Sequence, residues 1–396
     1  MTKILKQNLA VLLAVIMLLT IAPLGGFVGL DFGLSASAAS ENGYEYVVQD
    51  DGTVRITKYT GSGGDIVIPS TLGVRTVTRI GGSAFKSSST LRSVTIPGSV
   101  TSIDSEAFRS CSNLTKVVMN YGVKTIGEKA FRECNSLASV TIPGSVTSIG
   151  AYAFENCVIL KDVTIPYGVM SLGECAFYNC DKITNITIPG SVVDIGRDPA
   201  NGIYYGGVFE NCDALTSVTI QSGVTAIGCA MFKNCKNLKS VVIPDTVIII
   251  KGAGLQRGAF YGCTSLKSIV IPSSVMTIGK SAFDKCENLS DVYYTGTQSQ
   301  WNEIEIGDEN SPLLGIRYHY NYVPHDHTDK NNDGKCDTCG TDLGTKPTNP
   351  TPSSPSANCS HMCHSSGFLG FIWKIVNFFN NIFSINQYCS CGAKHW

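Results

Sequence analysis

One stretch constrains this chain more than any other: Leu137-Ala-Ser-Val-Thr-Ile-Pro-Gly-Ser-Val-Thr-Ser-Ile-Gly-Ala-Tyr-Ala-Phe-Glu-Asn-Cys157, written nine times with small edits. Copies start at Leu91, Leu114, Leu137, Leu160, Ile183, Leu215, Leu238 and Leu266, most of them 23 residues apart, and a degenerate copy precedes them near Asp65. A fixed period of this size means a solenoid, in which length counts rungs and a single copy has no core of its own.

Within each copy the spacing assigns roles. Leu-x-x-Val-x-Ile puts Val94 and Ile96, or Val140 and Ile142, on one face of a strand, with Ser93 and Thr95, or Ser139 and Thr141, on the other. Prolines 97, 143, 166, 189, 244 and 272 end that strand, since proline cannot donate to the ladder. The remainder, Val-x-x-Ile-Gly-x-x-Ala-Phe-x-x-Cys, fits a second short extended segment followed by a turn of helix. The expected fold is a β-rich repeat solenoid with one short parallel strand per repeat.

Sixteen cysteines fall into two groups, ten in the repeats and six beyond residue 335. Eight of the ten (111, 134, 157, 180, 212, 235, 263, 286) sit three residues after the repeat phenylalanine. Identical phase predicts one interior ladder of small buried side chains, pointing alike and poorly aimed for disulfides. Cys175 and Cys229 are out of phase and are expected to be more exposed.

The unit Leu-x-x-Val-x-Ile-Pro-x-x-Val-x-x-Ile-Gly-x-x-Ala-Phe-x-x-Cys resembles that of the BspA-like leucine-rich repeat proteins of bacterial and protist surfaces, over roughly residues 41 to 322. The resemblance implies a right-handed leucine-rich-repeat array with the Ser93/Thr95 positions on a concave parallel sheet. It also implies an adhesin-like role outside the cell, on matrix proteins, host cells or other microbes, without naming a ligand. That face is mostly Ser, Thr, Asp, Asn and Lys, poor in the aromatics and arginines that anchor tight interfaces.

Two copies break the period at one phase. Gly127 to Phe131 is four residues, but Gly196 to Phe209 is thirteen and Lys251 to Phe260 is nine, so insertions of nine and five residues leave the same edge. Lying two repeats apart, they are separated by about 10 Å. They carry Arg197, Asp198, Asn201, Tyr204, Tyr205, Lys251, Gln256 and Arg257, and such insertions are either a ligand-binding edge or tolerated loops.

Around the array, residues 1–39 read as a signal peptide: Lys3 and Lys6, an apolar run from Leu9 to Leu19, and Ala36-Ser-Ala38 before a cleavage expected near Ala39. Residues 40–64 read as an N-terminal β-hairpin cap, 65–288 as the repeats and 289–323 as a C-terminal cap, in which Tyr293, Tyr294 and Trp301 replace the repeat's Pro and Phe.

Residues 324–343 hold two competing metal patterns. His325, His327, Cys336 and Cys339 suit tetrahedral zinc. Asp329, Asn331, Asp333 and Asp337 follow a calcium loop, but Gly340 stands where the bidentate Glu belongs, which favours zinc. A polar linker with a Cys336–Cys339 disulfide is the third reading. A Pro/Thr/Ser linker (344–358) leads to a tail (359–396) in which Cys359, His361, Cys363, Cys389 and Cys391 flank an apolar stretch, Phe368 to Phe383, too short and polar to cross a bilayer. Those flanks suit zinc or disulfides. The tail resembles C-terminal modules on secreted proteins of anaerobic Firmicutes, which implies surface retention through cell-envelope contact.

Thirty basic against thirty-one acidic residues, with no basic run, give no footprint for nucleic acid. All six histidines lie at 319 or later, so the repeats lack a histidine base, and no phosphate loop follows a strand. No cofactor is expected in the solenoid, and no enzymatic activity. The expected function is a secreted, surface-retained binding protein for an extracellular protein or glycoconjugate; the rival readings are a surface spacer and a carbohydrate-active enzyme.

Overall fold

The computed structural model describes residues 39–196, 206–253 and 256–324. The signal peptide, the metal patterns, the linker and the tail lie outside them. The expected solenoid is present, almost without helix, in one compact unit closing at Pro324. Each rung has three parts, and each part pairs with the same part of its neighbours except where a strand ladder divides.

The first part is the predicted strand. In Leu91–Ile96, Lys116–Met119 and Ser139–Thr141 the apolar side chains alternate inward, and the strands pair in parallel and in register, Val94 beside Val117 and Val117 beside Val140. The second part is the second extended segment, a strand of two residues per rung: Ser102–Ile103, Thr125–Ile126, Ser148–Ile149, Ser171–Leu172 and Asp194–Ile195 pair successively.

The third part corrects the expected helical turn. From the Gly to the Cys the chain makes consecutive three-residue turns, with Arg109 N–H on Glu106 C=O and Cys111 N–H on Phe108 C=O, interrupted by left-handed residues. Glu106 and Ser110 have φ of 58°, as Lys129, Glu133, Tyr152 and Asn156 do near that value, so no right-handed helix propagates. The freed N–H groups point along the array instead. Phe108 N–H reaches Ala130 C=O, Phe131 N–H reaches Ala153 and Phe154 N–H reaches Ala176, each at 2.8 Å.

Beneath this turn column runs the core. Nine phenylalanines from Phe85 to Phe283 are fully buried and stack ring on ring, with centroids 4.6 to 5.9 Å apart. The cysteine ladder is buried as expected, and each thiol also donates a hydrogen bond: Cys111 Sγ to Phe85 C=O at 3.1 Å, Cys134 to Phe108 at 3.2 Å, Cys157 to Phe131 at 3.2 Å. Cys175 and Cys229 are buried too, against expectation, at 6 % and 9 % exposure. Ser83 and Ser105, at the same two positions of regular rungs, are exposed; Cys175 is covered instead by Gly206, where the first insertion rejoins, and Cys229 lies by Lys251 and Arg257 at the second.

Both ends of the core are closed. Tyr44–Val48 and Val54–Tyr59 form an antiparallel hairpin whose second strand pairs in parallel with Arg75–Ile80, and Tyr59 stacks on Phe85 at 5.0 Å. At the other end Asn310 stands in for the missing rung: its Oδ1 accepts Phe283 N–H at 3.0 Å and its Nδ2 donates to Gly279 and Gly307 C=O. The helix Gln298–Trp301, capped by Thr297, buries Trp301 against Tyr294.

Candidate functional site

The first-strand ladder is not continuous. It divides into sheets running from Gly64–Val67 to Ser139–Thr141, from Asn185–Ile188 to Ser240–Val242, and from Ser268–Ile271 to Arg317–His319. At the first division the rung of Leu160 is held to its neighbour by one bridge, Ser139 to Asp162, and Asn185–Ile188 starts a new sheet. A groove of about 670 Å³ opens there, its floor formed by Val140, Ile142 and Val163 and its walls by Lys161, Asp162, Thr164, Lys182, Thr184 and Asn185. Two cations, one carboxylate and several hydroxyl and amide groups around an apolar floor suit an extended polar ligand better than a compact apolar one. The sequence reading placed a polar face here but missed the groove. A lost ladder is a backbone event that no residue type announces.

The insertion edge is described in part. Arg197, Asp198, Asn201, Tyr204 and Tyr205 lie outside the described residues, whereas Lys251, Gln256 and Arg257 lie within them. Lys251 is half-buried beside Val192, Asp194 and Thr225, where the second-strand ladder divides between Asp194–Ile195 and Ala226–Ile227. Its N–H bonds Ile227 C=O at 2.9 Å and its C=O accepts Ala259 N–H at 3.1 Å, which ties the base of the second insertion to the array. Gln256 is exposed with φ of 62°, and the half-buried Arg257 accepts Ala230 N–H on its C=O. Lys251 and Arg257 both act on Cys229: burial raises its pKa, and the two cations partly offset that. The two ends of the second insertion therefore lie by the same side chain of the rung before.

Where the first insertion rejoins, Gly207 N–H donates to Glu210 Oε2 at 3.1 Å and Lys233 pairs with Glu210 Oε1 at 3.0 Å. Cys175 lies against Gly206, and burial, with the Glu210 and Glu174 carboxylates, pushes its thiol far above the ordinary range. A thiol held protonated is no nucleophile.

Elsewhere in the turn column, ion pairs cross from rung to rung, Lys86 with Glu106 at 2.6 Å and Arg132 with Glu155 at 2.7 Å, while Arg109 pairs with Glu106 of its own rung at 2.8 Å. Burial foremost raises Glu155, against the pull of Arg132. Partly solvated surface pairs such as Lys86–Glu106 contribute little each.

His319 in the C-terminal cap is the one histidine among the described residues. Its Nε2 lies 2.9 Å from Asp291 Oδ1, and Ser290 Oγ donates to Asp291 Oδ2 at 2.7 Å. The carboxylate sits between hydroxyl and imidazole, so the histidine cannot take the serine's proton and the three residues are no catalytic triad. Burial would raise Asp291, but hydrogen bonds from Arg317, His319 and Ser290 hold it down at about 2. Among the described residues no group of three or more His, Cys, Asp or Glu could hold a metal ion.

Stacked rungs of parallel strands around a Leu, Phe and Cys core define a leucine-rich repeat solenoid. The family model described as BspA type leucine rich repeat region matches residues 70–199 and 204–306 in six copies. The chain belongs to that family. A leucine-rich repeat protein from Bacteroides ovatus is similar at 26% identity, over 71% of each chain, with a TM-score of 0.57. A leucine rich cell surface protein from Faecalibacterium prausnitzii is 28% identical over 68% of this chain and 97% of its own, with a TM-score of 0.34. The pneumococcal vaccine antigen PcpA is 19% identical over 79% of this chain and 92% of its own, with a TM-score of 0.35. No curated protein matches the chain.

Proposed function

We propose that this protein is a secreted, cell-surface-retained, adhesin-like binding protein that takes extracellular protein or glycoconjugate ligands on its first-strand face and insertion edge. The groove at Lys161, Asp162, Lys182 and Asn185 carries this reading. It gathers two cations, a carboxylate and hydrogen-bonding groups around an apolar floor. The family membership and the export-like first forty residues support work outside the cell. The tail, 359–396, serves as the envelope contact, and residues 325–339 hold zinc in preference to calcium.

Labelled full-length protein is screened against matrix proteins, mucins and whole microbes. Reversing the groove charges with Lys161→Glu and Lys182→Glu, or replacing Tyr204, Tyr205 and Arg257, lowers binding to whichever ligand is captured. Capture that neither set of variants alters would refute both surfaces.

A further inference from the structure

The turns between first and second strands alternate from rung to rung. At one phase the chain reads Gly98-Ser99, Tyr121-Gly122, Gly144-Ser145, Tyr167-Gly168 and Gly190-Ser191. Gly122 and Gly168 have φ of 136° and 132°, and a Cβ on either would sit 1.9 or 2.9 Å from the carbonyl oxygen of Gly98 or Gly144 in the rung before. Only glycine allows this approach.

The following rung then fixes each Tyr-Gly turn in the same way. Ser145 Oγ accepts Gly122 N–H at 2.9 Å and donates to Val123 C=O at 2.8 Å, while Ser191 Oγ accepts Gly168 N–H at 3.2 Å and donates to Val169 C=O at 2.8 Å. Two tyrosines thus project from identically clamped backbone, and both are 76% exposed. Between them Gly144 has nothing within 4 Å of where a Cβ would lie, which leaves the space between the side chains open. Their rungs are those of Phe131 and Phe177, with Phe154 between at 5.3 and 5.2 Å, so the two turns are about 10 Å apart along the array.

We propose that Tyr121 and Tyr167 form a stacking platform for a β-1,4-linked polysaccharide chain lying along the array. In such a chain successive pyranose rings are turned over, so the same C–H face recurs at every second ring, over about the length of two rungs. A tyrosine ring offers that face a large apolar surface at low entropic cost, and the hydroxyl stays wet. The clamped turns fix the spacing before binding, so little ordering remains to be done. Lys124, with its ammonium 6.0 Å from the Tyr121 ring centre, sets a donor at one end for sugar hydroxyls. The platform gives a ligand class to the binding role proposed above. It uses no residue of the groove or the insertions, so the two readings fail separately.

Full-length protein is titrated by calorimetry with cellohexaose and chitohexaose, and with maltohexaose as the α-linked control. At least one β-linked hexamer binds, the better of the two showing whether the N-acetyl groups contribute. Tyr121→Ala and Tyr167→Ala each weaken that binding by about tenfold or more, whereas Tyr121→Phe and Tyr167→Phe retain it. The side chains are exposed, so all four variants keep the wild-type melting temperature. No binding of either β-linked hexamer, equal binding of maltohexaose, or binding untouched by both alanine variants would overturn the proposal.

Discussion

At the scale of single residues, the ladder cysteines do more than fill space. Phe131 C=O already accepts Cys134 N–H, and Cys157 Sγ supplies a second donor from the next rung. Alanine would remove the sulfur's packing and that donor together, so Cys157→Ala destabilises by about 2 kcal/mol in urea unfolding. Burial pushes Cys212 and Cys286 up to about 12, so the reactive thiolate is scarce at pH 8. All ten array cysteines are buried, Cys111 included although its hydrogen bond with Cys134 lowers its pKa, so iodoacetamide at pH 8 leaves them unmodified in the native protein and labels all ten in urea. Labelling of any of the eight ladder cysteines in the native protein would refute the buried ladder. At Asp291 the pH dependence runs the other way. Its folded pKa, about 2, lies below the ordinary carboxylate value near 4, so its contribution is complete above about pH 4 and is lost as pH falls toward 2. Asp291→Asn lowers the melting temperature at pH 6, and the gap from wild type closes as pH approaches 2. A gap that stayed constant would sink this assignment.

At the scale of elements, the turn column shows what the sequence could and could not tell. The strands were legible because Val94, Ile96 and their equivalents alternate with hydroxyl residues at the period that a strand imposes. The column was misread as a helical turn because Ala107, Phe108 and Cys111 keep a helix-like spacing. What decides against a helix is pairing with the next rung, which selects the left-handed conformation at Glu106 and Ser110. The ends of the insertions, Gly206 beside Cys175 and Lys251 with Arg257 by Cys229, accompany the burial of these two thiols, which their own phase does not announce. The insertions illustrate how the column tolerates extra chain. Both rejoin it through glycine, Gly207 and Gly258, at the position two before the phenylalanine where regular rungs place Glu106, Lys129 or Tyr152. A Cβ there would lie 1.6 Å from Ala230 C=O or 1.7 Å from Ser281 C=O. Gly207→Ala and Gly258→Ala must therefore push rungs apart, costing about 3 kcal/mol or more in chemical unfolding. An alanine tolerated at either position would show that the insertions rejoin differently.

At the scale of the whole molecule, the three columns differ in continuity. First-strand pairing divides twice and second-strand pairing once, yet Phe177 N–H still reaches Val208 C=O, Phe209 reaches Met231 and Phe232 reaches Ala259 across the insertion rungs. The turn column with its phenylalanine stack is the spine, and the sheets can open locally without breaking the array. The corner that carries Tyr121 and Tyr167 adds a second order, because its Gly-Ser and Tyr-Gly turns interlock in pairs. The structural repeat there is two rungs, although the sequence period is one. That alternation stands in the sequence but has no meaning until Gly122 is seen against Gly98 and Ser145. It makes a prediction that a one-rung repeat does not. Deleting residues 137–159 removes one rung, sets two Tyr-Gly turns side by side and takes away the serine that clamps Gly122. Deleting 114–159 removes two rungs but leaves Gly168 facing Gly98 as Gly122 does now. If stability were a sum over identical rungs, the longer deletion would be the more damaging. With a two-rung unit the shorter deletion is worse: the clamp's two lost hydrogen bonds and the clash of unmatched turns lower its unfolding free energy below that of the longer deletion by about 2 kcal/mol, measured in urea.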